Sequence, residues 1–318
     1  MKRIKIIALL TAIILCVIPL SGCVQSGGGS DSGKITVVTT VFPPYDFSRE
    51  IGGDLIELKM LVAPGNDSHY YEPSVSDLSA VNDCDVFIYV GGQDDGWIDD
   101  ISDSVDFEKK QTVVLSEKVS LLEEKITEGM QHEEEHHDND NHVEYDEHVW
   151  TSLKNAVILC EAIRDAFCLA DPDNASAYTD NCSEYVKKLS DLEGRFSETV
   201  NNAKRKTVVF AERFPFRYLF DDYGLTCFAA FPGCSSETEP TLDTINFLVS
   251  KVKNDAIPAV FYIELSSMVT ANRISEATGA KTLLLHSCHN VSKEDFENGV
   301  TYLGLMEQNL TNLTEALN

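Results

Sequence analysis

The eight histidines are the residues of this chain best suited to chemistry, and they are not scattered. Five of them, His132, His136, His137, His142 and His148, fall within residues 131–148 among eight acids. Imidazole nitrogen and carboxylate oxygen together suit zinc and similar divalent ions. The stretch has almost no apolar residue before Val143, so it reads as a solvated loop, with an acidic solubilising role as the plain alternative. His132-Glu133-Glu134-Glu135-His136 fits both the H-E-x-x-H metalloprotease pattern and its inverted relative. Those motifs need a packed helix that holds both imidazoles on one face. No apolar stripe is present to fix one here, so the match is read as a product of composition. The other three histidines, His69, His286 and His289, each follow a predicted strand. Open α/β sheets bind ligands outside the carboxyl ends of their strands. One histidine in such a place is more often a structural hydrogen-bonding residue. Three from separate segments, joined by His148, favour a shared metal site.

The elements that must hold these side chains are short β-branched runs alternating with longer amphipathic segments. Residues 34–40, 55–61, 86–90 and 112–115 read as strands, apolar on both faces as in a parallel sheet covered by helices. Helical stretches such as 47–51 and 75–81 lie between them. A second series runs through 207–210, 225–231, 259–263 and 282–285, which gives two α/β lobes. Between the series, Asp171-Pro172 supplies a cap and a first turn. Tyr178, Cys182, Tyr185, Leu189, Leu192, Phe196 and Val200 then recur at steps of three or four. That spacing predicts one helix of about 30 residues, ~45 Å long. It exceeds the usual ~11–12 residues and is expected to pack along both lobes. The expected division is an N-terminal lobe over 34–171, a linker helix over 172–204 and a C-terminal lobe over 205–318.

Composition narrows the function. The 318 residues carry 25 Lys and Arg against 52 Asp and Glu, a formal charge of −27 with no basic stripe, which argues against nucleic-acid binding. The same charge repels anionic lipid, so a membrane attachment has to be covalent or hydrophobic. Met1-Lys2-Arg3-Ile4-Lys5 followed by an uncharged run over 6–20 reads as a signal peptide. Its end, Leu20-Ser21-Gly22-Cys23, resembles the lipobox of bacterial lipoproteins. That resemblance implies cleavage of residues 1–22 and acylation of Cys23, each buried methylene contributing ~0.8 kcal/mol to anchoring. A simple secretion signal or an uncleaved anchor is the alternative. Residues 23–33, rich in Ser and Gly, then form a flexible tether. Seven further cysteines (Cys84, Cys160, Cys168, Cys182, Cys227, Cys234, Cys288) have spacings that match no compact disulfide framework.

Two motifs resemble those of a known family. Asp67-Ser68-His69-Tyr70-Tyr71-Glu72-Pro73-Ser74-Val75-Ser76-Asp77-Leu78 is similar to the Asp-Pro-His-x-Tyr-Glu-Pro-x-x-x-Asp-Leu segment of the zinc/manganese substrate-binding lipoproteins of ABC transporters. Asp146-Glu147-His148-Val149-Trp150 resembles their Asp-Pro-His-x-Trp, preceded, as in the zinc members, by a His- and acid-rich loop. Thr39-Thr40-Val41-Phe42-Pro43-Pro44, Gly52-Gly53-Asp54 and Gly91-Gly92 through Trp97 fit the same family. The resemblance implies two α/β lobes joined by a long helix, with one metal ion held by four ligands between them. It places the first two ligands on His69 and His148, and a fourth, after a late strand, on His286, with His289 as competitor. The family's third ligand position falls on Arg213, which has no acceptor atom to offer. The adjacent Glu212 is the expected substitute; otherwise His289 or water completes the site.

The expectation is capture rather than catalysis. Zn²⁺ would be bound in a tetrahedral, nitrogen-rich site and passed to a membrane permease driven by a cytoplasmic ATPase, as the resemblance implies. The protein would act as a monomer, lipid-anchored on the outer face of the bacterial cytoplasmic membrane. His132, His136, His137, His142 and His289 are candidates for accessory metal contact. Mn²⁺ or Fe²⁺ remains open because Glu212 would add oxygen to the site. The readings from other classes are a surface adhesin and, more remotely, an extracellular zinc hydrolase.

Overall fold

The structure is a computed structural model that describes residues 33–102, 105–131, 144–235 and 239–318. Cys23, His132, His136, His137 and His142 lie outside the described residues. Lys34–Asn318 forms one compact unit.

Its first half is a parallel sheet in the order β2-β1-β3-β4, built from β1 (Ile35–Thr39), β2 (Ile56–Met60), β3 (Val86–Tyr89) and β4 (Gln111–Val114). Helices α1 (Phe42–Gly52), α2 (Val75–Asp83) and α3 (Trp97–Ile101) connect these strands. Helix α1 begins earlier than the apolar spacing alone suggests. Prolines are tolerated in a first turn, where their missing N–H has no partner to lose, so Phe42-Pro43-Pro44 opens the helix. A capping box between Ser74 and Asp77 starts α2.

Two long helices follow, α4 (Leu153–Ala170) and α5 (Ala175–Asn201). The seven stripe residues expected of the linker helix are the seven buried residues of α5. This 27-residue helix packs on α4, on α1 and on the last helix of the chain.

The second half repeats the parallel plan in the order β10-β9-β5-β7. Its elements are β5 (Thr207–Phe210), β6 (Arg213–Phe214), α6 (Arg217–Tyr223), β7 (Thr226–Phe228) and β8 (Phe231–Pro232). They are followed by α7 (Leu242–Asn254), β9 (Ala259–Tyr262), α8 (Val269–Thr278), β10 (Lys281–Leu284), α9 (Lys293–Glu297) and α10 (Tyr302–Leu317). The apolar run expected as one strand over 225–231 is divided. Only Thr226–Phe228 pairs with β5, while Phe231–Pro232 pairs with β6 in a separate two-stranded ladder. A proline offers no N–H for a central ladder, which suits β8 to this short edge.

The largest of the buried apolar clusters spans both halves. Val37 and Val86 of the first sheet, Trp150, Phe196 of α5, Phe210 of the second sheet and Tyr302 belong to the same buried cluster.

Candidate metal centre

Each histidine of the centre comes from a turn just past a strand or a pairing segment. After β2, residues 61–67 lead to the single 3-10 turn Ser68–Tyr70, whose cap is Asp67. Asp67 Oδ1 accepts the His69 backbone N–H at 3.2 Å and so fixes the start of the turn that carries His69.

His148 arrives differently. Glu123 and Tyr145 form an isolated antiparallel bridge, and the Asp146 N–H donates to Leu122 O at 2.9 Å, which pins the backbone just before His148. Asp146 Oδ1 then accepts the His148 backbone N–H at 2.9 Å and lies 3.1 Å from its Nδ1. A carboxylate on one ring nitrogen fixes the tautomer, and Nε2 is then the atom that could serve a metal. Both side chains are buried. The neighbouring Glu147 presses so close to Gly92 that a Cβ there would lie 1.8 Å from Glu147 Oε2, which explains a glycine at that position. From the second half, Tyr218 donates to Asp146 O at 2.6 Å and the Trp150 indole N–H donates to Ser287 O at 2.8 Å.

The third segment follows β10. Here two histidines lie three residues apart, and the backbone separates them. Cys288 sits in the left-handed region with φ of 63°, which turns the chain between them. His286 points into the protein: it is 5% exposed, its Nδ1 accepts the Cys288 N–H at 3.0 Å, and Asn309 bonds both its backbone N–H and its carbonyl. His289 faces the cavity instead, with Nε2 2.9 Å from Ser68 Oγ.

The outcome is a cluster of His69, His148 and His289, one ring nitrogen of each lying within 4.8 Å of the others. The rings of His69 and His148 each meet the His289 ring edge-on, with centroids 5.6 and 5.2 Å away. His286, expected as a ligand from its place after the strand, is not brought to this cluster; the reversal at Cys288 turns His289 toward it instead.

The cluster opens on a cavity of about 440 Å³ whose walls include Glu212, Arg213, Glu239 and Glu264. Glu212, expected as a ligand, therefore lines the site, but its oxygens are engaged. One accepts the Ser266 hydroxyl and the other the Ile263 N–H at 3.3 Å. Burial pushes its carboxyl above the usual carboxylate range, although Ser266, Ile263 and the Arg213 guanidinium pull the other way. Glu264 is similarly committed, to the Ser287 hydroxyl and to the Ser287 N–H at 2.7 Å. Arg213, unable to bind a metal, pairs with Asp67 Oδ2 at 3.2 Å.

Three converging imidazoles beside carboxylates suit zinc by donor type and by spacing. The fold and the cluster together describe an α/β protein with two four-stranded parallel sheets, whose cavity, lined from both halves, carries a group of three histidines that could hold a metal ion.

Comparison with known proteins gives the family. Residues 37–316 match the family described as ZnuA, zinc-uptake complex component A periplasmic. The zinc-binding lipoprotein AdcA of Streptococcus pneumoniae (strain ATCC BAA-255 / R6) is 32% identical over 314 residues, 98% of this chain and 61% of its own length. The chain thus spans less than two thirds of that relative. The high-affinity zinc uptake system protein ZnuA of Bacillus subtilis (strain 168) is 29% identical over 318 residues, 97% of each chain. The crystal structure of the Zn(II)-bound ZnuA-like domain of Streptococcus pneumoniae AdcA superposes with a TM-score of 0.74 at 30% identity, covering 90% of this chain and 99% of that one. This chain belongs to the ZnuA family.

Proposed function

We propose that this protein is the extracytoplasmic zinc-capturing component of a metal ABC importer, and that His69, His148 and His289 are its protein ligands. The observation that carries the reading is the approach of three ring nitrogens, from three separate segments, to within 4.8 Å of one another. Zinc is favoured over manganese because the donors are nitrogen, whereas manganese prefers more oxygen. Capture replaces the hydration waters of Zn²⁺ by neutral imidazoles. Asp146 holds the His148 ring and offsets the ion's positive charge. The fourth position opens on the cavity and is filled by water, since Glu212 and Glu264 are committed to serine and backbone donors. Glu212, Glu239 and Glu264 also make the cavity attractive to a cation.

Loaded protein would dock on a membrane permease coupled to a cytoplasmic ATPase. An acylated Cys23 would keep it at the outer face of the cytoplasmic membrane, with 34–171 and 205–318 acting as lobes about the 172–204 helix. The adhesin alternative is not favoured, because AdcA and the Bacillus subtilis ZnuA, which match nearly the whole chain, carry zinc-binding and zinc-uptake names.

The test is competitive binding of Zn²⁺ and Mn²⁺ to chelator-stripped protein, for the wild type, His289→Ala and His286→Ala. Tight zinc with little manganese, lost in His289→Ala and kept in His286→Ala, is the expected pattern. Loss in His286→Ala alone would return the ligand role to that residue, and a manganese preference would refute the zinc reading.

A further inference from the structure

The turn that carries His69 is gripped from the second half of the chain, at two points. Asn290, the residue after His289, is 4% exposed, and its side-chain NH₂ donates to Ala63 O at 2.9 Å and to Asn66 O at 2.7 Å. The Asn290 Oδ1 accepts the Val291 N–H at 2.8 Å, so the amide is held in one orientation with both donors facing the 63–66 loop. A backbone bond from Gly65 N–H to Val291 O, at 2.7 Å, runs beside it. The second grip is Arg213. Its Nη2 lies 3.2 Å from Asp67 Oδ2, while Asp67 Oδ1 accepts the His69 N–H, and its Nη1 donates to Ser235 O at 3.3 Å.

We infer that Asn290 and Arg213 are positioning residues for His69, holding its loop in the ligand-ready geometry from the opposite half of the molecule. The inference rests on the proposed three-histidine site. Neither side chain is assigned to touch the ion. Asn290 acts through the Ala63 and Asn66 carbonyls, and Arg213 through the Asp67 carboxylate. A loop that leads from a strand to a one-turn 3-10 helix has little packing of its own to restrict it. Ligand geometry must be held to within about 0.5 Å to be productive, and groups behind the ligands supply that restraint. Orienting partners of ligands typically contribute 10–100-fold to metal affinity. The position where a ligand was expected by resemblance thus holds a cation that orients a ligand instead.

A double-mutant cycle separates this role from plain structural support, because residues that act through one another are not additive. Zinc affinity is measured for Asn290→Ala and Arg213→Met, each in the wild-type background and in His69→Ala. Each single substitution should weaken zinc about 10-fold or more in the wild type and less than about 2-fold when His69 is absent. Arg213→Lys, which keeps a charge for Asp67, should recover most of the loss. Equal losses in both backgrounds, or no loss in the wild type, would overturn the positioning role. If Asn290→Ala fails to fold, the Arg213 arm decides alone. His69→Ala that binds zinc as tightly as the wild type would instead refute the site itself, and the proposal with it.

Discussion

His148 and the His69–His289 pair are held in opposite ways. His148 is 1% exposed, and its restraint is local: Asp146, two residues back, bonds both its backbone and its ring. Behind it, Tyr302 donates to Trp150 O at 2.6 Å, and the Tyr302 N–H donates to the buried Asp46 at 2.7 Å. His69 and His289 are only half-buried, and beyond the local bond from the His69 N–H to Asp67 their supports are long-range: Ser68 to His289, Arg213 to Asp67, and Asn290 to the 63–66 loop. The contrast describes a site with one fixed imidazole and two that are brought together by contacts between the halves. Such a division suits a carrier, because release can proceed by parting the long-range contacts while the anchor stays in place.

His148→Ala should cost the most, about 1,000-fold in zinc affinity or ~4 kcal/mol, because the anchor has no substitute. A loss no greater than that of His69→Ala, read by competition against a chelator, would erase the distinction.

The backing of the anchor has a pH signature of its own. Burial drives the Asp46 carboxyl up to about 6, against the Arg49 guanidinium and the Tyr302 N–H, which lower it. The folded state therefore binds that proton more tightly than the unfolded chain does. The resulting stabilisation is complete below the ordinary carboxylate pKa and is lost as pH rises through about 6. Relative to Asp46→Asn, the wild type should lose on the order of 3 kcal/mol of stability between pH 4 and pH 7. Chemical denaturation of both proteins across that range checks it, and parallel curves would contradict it.

Asp146→Asn should weaken zinc 10–100-fold, the range for a group that orients a ligand. It should also raise the dissociation rate, as stopped-flow exchange into a chelator would report. Glu212→Gln should change zinc affinity by less than about 3-fold, because an amide can still accept from Ile263 and hold the 263–268 loop. A larger loss in titration would make Glu212 a ligand and remove water from the fourth position.

What could be read from residues alone depended on how near in sequence each restraint lies. His69 and His148 sit in local motifs whose restraints, Asp67 and Asp146, are two residues away, so their place in the histidine cluster was legible. The α5 stripe was legible too, since a 3.6-residue period needs no tertiary information. The choice between His286 and His289 was not. It turns on a positive φ at Cys288, a residue type that does not advertise that conformation. The break after Phe228 was equally hidden, because an apolar run gives no sign of which ladder each part will join. Arg213 was visible only as a residue that cannot bind metal; its partner Asp67 lies 146 positions away.

The most direct test is zinc-edge anomalous diffraction from crystals of the zinc-loaded protein. The account predicts one strong peak bonded to nitrogens of His69, His148 and His289 at ~2.0–2.1 Å, with a water as the fourth ligand. A peak bonded to His286, or one that has drawn in the Glu212 carboxylate, would contradict it.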